Sequence, residues 1–131
     1  MNLLILGGTK FVGRHITAHA LIRGHRVTLF NRGQTNANLF PDAEKISGDR
    51  DGGLDALFSK GKRTWDAALD VNGYVPRIVG ASAALLKDAV ERYVFVSTLS
   101  VFADFSKQGM NEDSPLATLE DETTEVIDGD T

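Results

Sequence analysis

The first thirty-two residues constrain the fold most strongly. Asn2-Leu3-Leu4-Ile5-Leu6 is an apolar run, Gly7-Gly8-Thr9-Lys10-Phe11-Val12-Gly13 a glycine turn, and a helical stretch follows to Gly24. Arg26-Val27-Thr28-Leu29-Phe30-Asn31-Arg32 then reads as a second strand. A strand apolar at nearly every position is one covered on both faces, as in a parallel sheet with helices on either side. The order strand, glycine turn, helix, strand places the N–H groups of a helix N-terminus just past the end of a buried strand. That geometry suits the pyrophosphate of a dinucleotide.

The remaining pattern continues the alternation. The first helix is expected to bury Val12, Ile16 and Ala20, with Phe11 and Ile22 nearby and Gly24 as its C-cap. Val27–Phe30 forms strand 2, and residues 33–42 form a polar connection. Glu44–Ser47 is a weak third strand, followed by Gly48-Asp49-Arg50-Asp51. Leu54, Leu57 and Phe58 mark a short helix, and Asp66–Val71 a fourth strand. Pro76 suits the first position of a helix, where its missing N–H costs nothing. That helix is expected to bury Ile78, Ser82, Leu85, Leu86 and Ala89. Tyr93–Ser97 reads as strand 5, and residues 103–131 carry no strong period. Right-handed crossovers on both sides of strand 1 then give a doubly wound parallel sheet of order 3-2-1-4-5, a Rossmann-type three-layer α/β/α sandwich.

At 131 residues the chain is expected to form one domain, spanning 1–110, with an acidic loop over 111–131. It contains no cysteine, which excludes a disulfide scaffold, a thiolate metal site and a thiol nucleophile, and fits a reducing cytoplasm. No apolar run approaches the roughly 20 residues of a membrane-spanning helix, and the opening residues read as a strand rather than a signal peptide. Charge is asymmetric. Beyond Lys107 there is no Lys or Arg but eight acids, leaving residues 1–107 with 14 basic and 10 acidic side chains. A mildly basic body suits a phosphate-bearing ligand, and the acidic end argues against nucleic acid as a partner there. His15 and His19 share a helix face but lack a third ligand nearby, so no metal site is expected.

Within the glycine turn, Gly7 permits the tight turn and Gly13 lets the helix pack closely on the sheet. Lys10 stands where the usual pattern has its middle glycine, and it either reaches the pyrophosphate or faces solvent. Asn31 occupies the place of the ribose-binding acid at the end of strand 2, and Arg32 follows it. Asn31 has no charge to repel a 2′-phosphate and Arg32 can attract one, which favours NADP while leaving NAD open.

Four segments in order, Gly7–Gly13, Gly48–Asp51, Asp70-Val71-Asn72-Gly73-Tyr74 and Ser97-Thr98-Leu99-Ser100-Val101-Phe102, resemble the extended or atypical short-chain dehydrogenase/reductases. Within these the chain is most similar to the NAD-dependent epimerase/dehydratase group and to branches described as reductases or chloroplast RNA-binding relatives. The resemblance covers residues 1 to about 105. It implies a cofactor site of Gly7, Thr9, Lys10, Phe11, Val12, Gly13, Asn31, Arg32, Asp49, Arg50, Val71, Asn72, Gly73 and Ser97. In such proteins the acid after strand 3, here Asp49, holds the adenine amino group, with Arg50 beside it, and the segment after strand 4 lines the cofactor. Tyr74 faces the nicotinamide end or caps the following helix. Aligning Val101-Phe102 with the family's Val-Tyr makes Thr98 the catalytic hydroxyl, with Ser97 and Ser100 as neighbours of lesser claim.

The family's general acid/base is the tyrosine of a Tyr-x-x-x-Lys helix, but neither Tyr74 nor Tyr93 has a lysine four residues on. The expectation is that Thr131 falls in the loop leading into that helix and that the 131-residue chain alone is inactive. Uncovered sheet edges would then invite self-association. The resemblance implies the cofactor-binding portion of an oxidoreductase, epimerase or dehydratase acting on a hydroxyl- or carbonyl-bearing small molecule such as a nucleotide sugar. The alternatives are a non-catalytic NAD(P)-binding regulator or RNA-associated relative, and a protein that binds an adenine nucleotide without nicotinamide.

Overall fold

In a computed structural model, residues 1–127 are described, so Asp128, Asp130 and Thr131 lie outside the described residues. Five strands, β1 (Asn2–Leu6), β2 (Arg26–Asn31), β3 (Glu44–Ser47), β4 (Trp65–Asp70) and β5 (Val90–Phe95), form one parallel sheet of order β3-β2-β1-β4-β5. Helix α1 (Phe11–Ile22) joins β1 to β2, and α2 (Pro76–Leu86) joins β4 to β5. A 3-10 turn at Leu54–Phe58 stands in the β3–β4 crossover where a short helix is expected. The sequence-derived order 3-2-1-4-5 is the order found.

Central β1 explains the layering. Its side chains alternate between the two faces of the sheet. Leu3 and Ile5 join Val27, Leu29 and Ala20 of α1 in one cluster. Leu4 and Leu6 join Phe30, Ala68, Leu57 and Leu86 of α2 in the other. Leu4, Ile5, Leu29 and Leu86 are fully buried, each contributing about 1.5–3 kcal/mol of hydrophobic burial.

Three expectations are corrected. α1 buries Gly13, Thr17 and Ala20, whereas Val12, Phe11 and Ile22 face outward. Gly13 must approach the turn, and this rotates Val12 out of the core. Strand β5 begins at Val90 and ends at Phe95, before Ser97, because Val90 pairs with Trp65 at the start of β4. Ala89 therefore lies beyond α2, buried ahead of β5, and Leu85 is exposed. Gly24, at φ 79°, ends α1 as expected: its N–H donates to Leu21 and that of His25 to Ala20.

Beyond β5, a 3-10 turn at Leu99–Val101 leads to an isolated antiparallel bridge between Phe102 and Leu116. The acidic segment returns to α2, where Glu125 pairs with Arg77 at 2.7 Å. Edge strand β5 leaves Val94 and Phe95 half exposed. Among the described residues, no helix is long and apolar enough to cross a membrane, and no group of three or more His, Asp or Glu is placed to hold a metal.

Candidate dinucleotide site at the strand ends

The C-terminal ends of β1, β2 and β4 converge on the glycine turn. Gly7 and Gly8 have φ of 108° and 99°, conformations that L side chains rarely adopt. The Gly7 N–H donates to the Phe30 carbonyl at 2.9 Å, tying the turn to β2. Three side chains then occupy the turn's carbonyls. Asn31 donates to Gly7 at 3.3 Å, Thr17 to Gly8 at 3.1 Å and Asn36 to Thr9 at 2.9 Å. Thr17 also donates to Gly13 at 2.8 Å, which explains a fully buried hydroxyl in α1. With its carbonyls satisfied from behind, the turn presents N–H groups.

Helix α1 begins at the same place. Its N-cap is Lys10, which makes no side-chain cap, and its first turn contains no acid. The first N–H groups of a helix have no intrahelical partner and carry the positive end of its dipole. Gly13 lies so close beneath that an added Cβ would stand 2.8 Å from the Gly8 nitrogen and 2.8 Å from Val71. The same Val71 methyl stands 2.9 Å from a Cβ built on Gly7, with the Asn72 Cβ at 3.5 Å. Gly7, Gly13, Val71 and Asn72 thus form one floor. Gly73 is wedged against Phe95 and Val79.

The other expected residues occupy different settings. The side chains of Lys10 and Arg32 are exposed and have no hydrogen bond or ion pair among the described residues. Phe11 starts α1 at φ 42° with its ring largely exposed, and Val12 is exposed beside it, while Thr9 is buried. Asn31 is committed to the turn itself, because its Oδ1 accepts from Gly33 N–H at 2.8 Å while its amide holds Gly7. Asp49 is exposed, and its Oδ1 accepts from the Asp51 N–H at 2.8 Å. Arg50, expected beside Asp49 among the cofactor residues, turns inward to Asp70. Ser97 and Thr98 lie beyond β5, both exposed. Thr98 caps the Leu99–Val101 turn, its Oγ1 accepting from Ser100 N–H at 3.3 Å. Tyr74 is exposed before α2.

Sequence reasoning did not identify Thr17, Asn36 or the group around Asp70. A threonine four residues after Gly13, on the buried side of α1, was a readable signal for the first. An aspartate closing the Ala67-Ala68-Leu69 run of β4 was the signal for the last.

The opposite, N-terminal ends of the strands border an open groove of about 560 Å³, lined in part by His25, Arg26, Glu44, Arg63 and Trp65. Arg63, Glu44 and Trp65 are already paired there. Arg63 bonds Glu44 at 2.8 Å and lies 4.6 Å over the Trp65 ring, whose Nε1 donates to Thr28 at 3.2 Å. The Arg63 guanidinium holds the Glu44 carboxyl below its ordinary range. Ligands of open α/β sheets bind at the other end, outside the carboxyl ends of the strands.

Comparison with known proteins agrees on the fold. No family model matches the chain. A curated relative, the chloroplast stem-loop binding protein of 41 kDa b of Arabidopsis thaliana, is 28% identical over 119 residues, covering 77% of this chain and 30% of that protein. Among solved structures, a UDP-galactose 4-epimerase superposes with a TM-score of 0.73 at 18% identity, over 89% of this chain and 45% of that one. A dTDP-glucose 4,6-dehydratase of Bacillus anthracis, in complex with NAD, superposes with a TM-score of 0.72 at 19% identity, over 94% of this chain and 46% of that one. The chain therefore has the Rossmann-type fold of these enzymes, and it spans less than half the length of each of these three proteins.

Proposed function

We propose that this chain binds a nicotinamide dinucleotide across the ends of β1, β2 and β4 as the cofactor-binding portion of an oxidoreductase, epimerase or dehydratase. The carrying observation is the uncapped, acid-free N-terminus of α1 above a turn whose carbonyls are all taken. The N–H groups of the turn and of the first turn of α1 would hold the pyrophosphate, and Gly13 leaves room for that approach. Lys10 would add a positive charge. Asp49 would accept the adenine amino group, and Val71, Asn72 and Gly73 would line the cofactor. Bound, the dinucleotide supplies hydride transfer to or from a carbon bearing a hydroxyl or carbonyl. Thr98 would orient that oxygen by hydrogen bonding. The solved structures of like fold support a nucleotide sugar as the substrate class. No Tyr-x-x-x-Lys occurs in these 131 residues, so the chain alone binds dinucleotide without turnover.

The preferred dinucleotide is NADP. Asn31 brings no negative charge to the end of β2, and Arg32, whose side chain has no partner among the described residues, stands next to it. Arg32→Ala is expected to weaken NADPH binding by about ten- to a hundredfold while leaving NADH nearly unchanged, since a charge-assisted hydrogen bond contributes roughly 1.5–3 kcal/mol. Equal losses for both would remove Arg32 from the 2′-phosphate role.

A second reading, a non-catalytic dinucleotide-binding regulator associated with RNA, is favoured by the similarity to a chloroplast stem-loop binding protein. Steady-state NADPH oxidation by a longer natural chain containing this segment would exclude it.

A further inference from the structure

Asp70 closes β4 with no exposed surface. Its Oδ1 accepts from Arg50 Nη1 at 2.6 Å and from the Asn72 N–H at 3.3 Å. Its Oδ2 accepts from the Tyr93 hydroxyl at 2.6 Å and from Arg50 Nη2. Arg50 itself is nearly buried, and its Nε donates to Ser82 Oγ at 3.0 Å. Ser82 Oγ in turn donates a hydrogen bond to the Ile78 carbonyl at 3.0 Å. Burial first, and then Asp70, raise the Tyr93 pKa, so its hydroxyl stays a donor.

A buried ion pair seldom stabilises a fold more than apolar side chains of the same volume would. It does fix orientation, through the fork geometry of arginine on carboxylate. The segment fixed here is Gly48–Asp51. That loop leaves the end of β3, three places from β4 in the sheet. Arg50 ties it to β4 and α2. Its neighbour Asp51 is tied to Arg77 in the first turn of α2 by two bonds of 2.9 Å. Gly48 donates to the Asn31 carbonyl at 2.9 Å and packs against the Phe30 ring. Asp49 stands among these fastenings with Oδ1 held by Asp51 N–H and Oδ2 without a partner among the described residues.

We propose that the Arg50–Asp70 pair, with Tyr93 and Ser82, is a positioning strut that aims the free carboxylate oxygen of Asp49 at the adenine of the bound dinucleotide. The proposal rests on the dinucleotide reading above. It makes Arg50 and Asp70 positioning residues, and it localises their effect to the adenine half of the ligand.

Two variants test it, with AMP and nicotinamide mononucleotide as probes and amide hydrogen exchange as a ligand-free readout. The triple variant Arg50→Met, Asp70→Leu, Tyr93→Phe replaces the buried polar cluster by apolar groups of similar size. Arg50→Lys keeps the charge but loses the fork and the Ser82 bond, and it decides the question if the triple variant fails to fold. Both are expected to weaken AMP binding, by about tenfold in the triple variant, while nicotinamide mononucleotide binds as in the wild type. Amides of residues 48–51 are expected to exchange faster. A folded variant with wild-type AMP affinity and unchanged exchange at 48–51 overturns the strut. If the wild type binds neither AMP nor NADH, the dinucleotide reading fails, and the exchange data still decide whether the pair holds the loop.

Discussion

Gly13→Ala and Gly80→Ala make the same chemical change in two helices, and opposite outcomes are expected. At Gly13 the added Cβ would lie 2.8 Å from the Gly8 nitrogen, 2.9 Å from its Cα and 2.8 Å from Val71. Two of these neighbours are backbone, so α1 must back away from the turn by about half an ångström or more. Overpacking of this kind costs about 1–3 kcal/mol. The shift also lengthens the Thr17–Gly8 hydrogen bond, already 3.1 Å, whose loss adds about 1 kcal/mol. Removing a helical glycine returns about 1 kcal/mol. The net loss is about 1–3 kcal/mol, or a Tm lowered by roughly 4–12 °C for a domain of this size. At Gly80 a Cβ meets nothing within 4 Å, so only the helix-propensity gain remains, and Tm should rise by about 4 °C. Thermal unfolding followed by circular dichroism measures both. A Gly13→Ala chain as stable as the wild type would refute the close approach of α1 to the turn on which the proposed anion site depends.

Asp70→Leu alone leaves the nearly buried Arg50 without its partner and should lower stability by about 3–5 kcal/mol in urea unfolding, far more than the triple apolar variant. Trp65→Phe removes the indole donor to Thr28 and should cost about 1–3 kcal/mol by the same assay. Acid should release the C-terminal segment from α2. Arg77 holds the Asp51 and Glu125 carboxyls below their ordinary values of 3.8 and 4.5, so their contribution is full above those values and is lost as pH falls through the depressed ones. Hydrogen-exchange protection across residues 121–125, corrected for the intrinsic exchange rate at each pH, should fall as pH drops through the depressed values, and Arg77→Ala should show the loss already at pH 7.

The sequence made local features legible and left non-local ones unread. β1 and the glycine turn were readable because a run of buried aliphatics and glycines at positive φ are local necessities. The inward face of α1 was misjudged because apolar character pointed to Val12, whereas contact with the turn selects Gly13 and a hydroxyl bond selects Thr17. β5 was placed too late because Glu91 and Arg92 look unlike strand residues, yet an edge strand accommodates charges. Asn31 was read as a ribose ligand, and its bonds to Gly7 and Gly33 show that it also shapes the turn. Arg50 was read as facing a ligand because its partner lies twenty residues on, at the end of another strand, and no local pattern joins them.

The most direct test is to titrate NADPH into the isotopically labelled chain and map the amide shifts. Saturable shifts at Gly7–Gly13, Asp49 and Asn72 are expected, with little change at Arg26, Arg63 and Trp65 in the groove at the opposite ends of the strands. Shifts confined to that groove, or none at millimolar NADPH, would contradict a dinucleotide site at the N-terminus of α1.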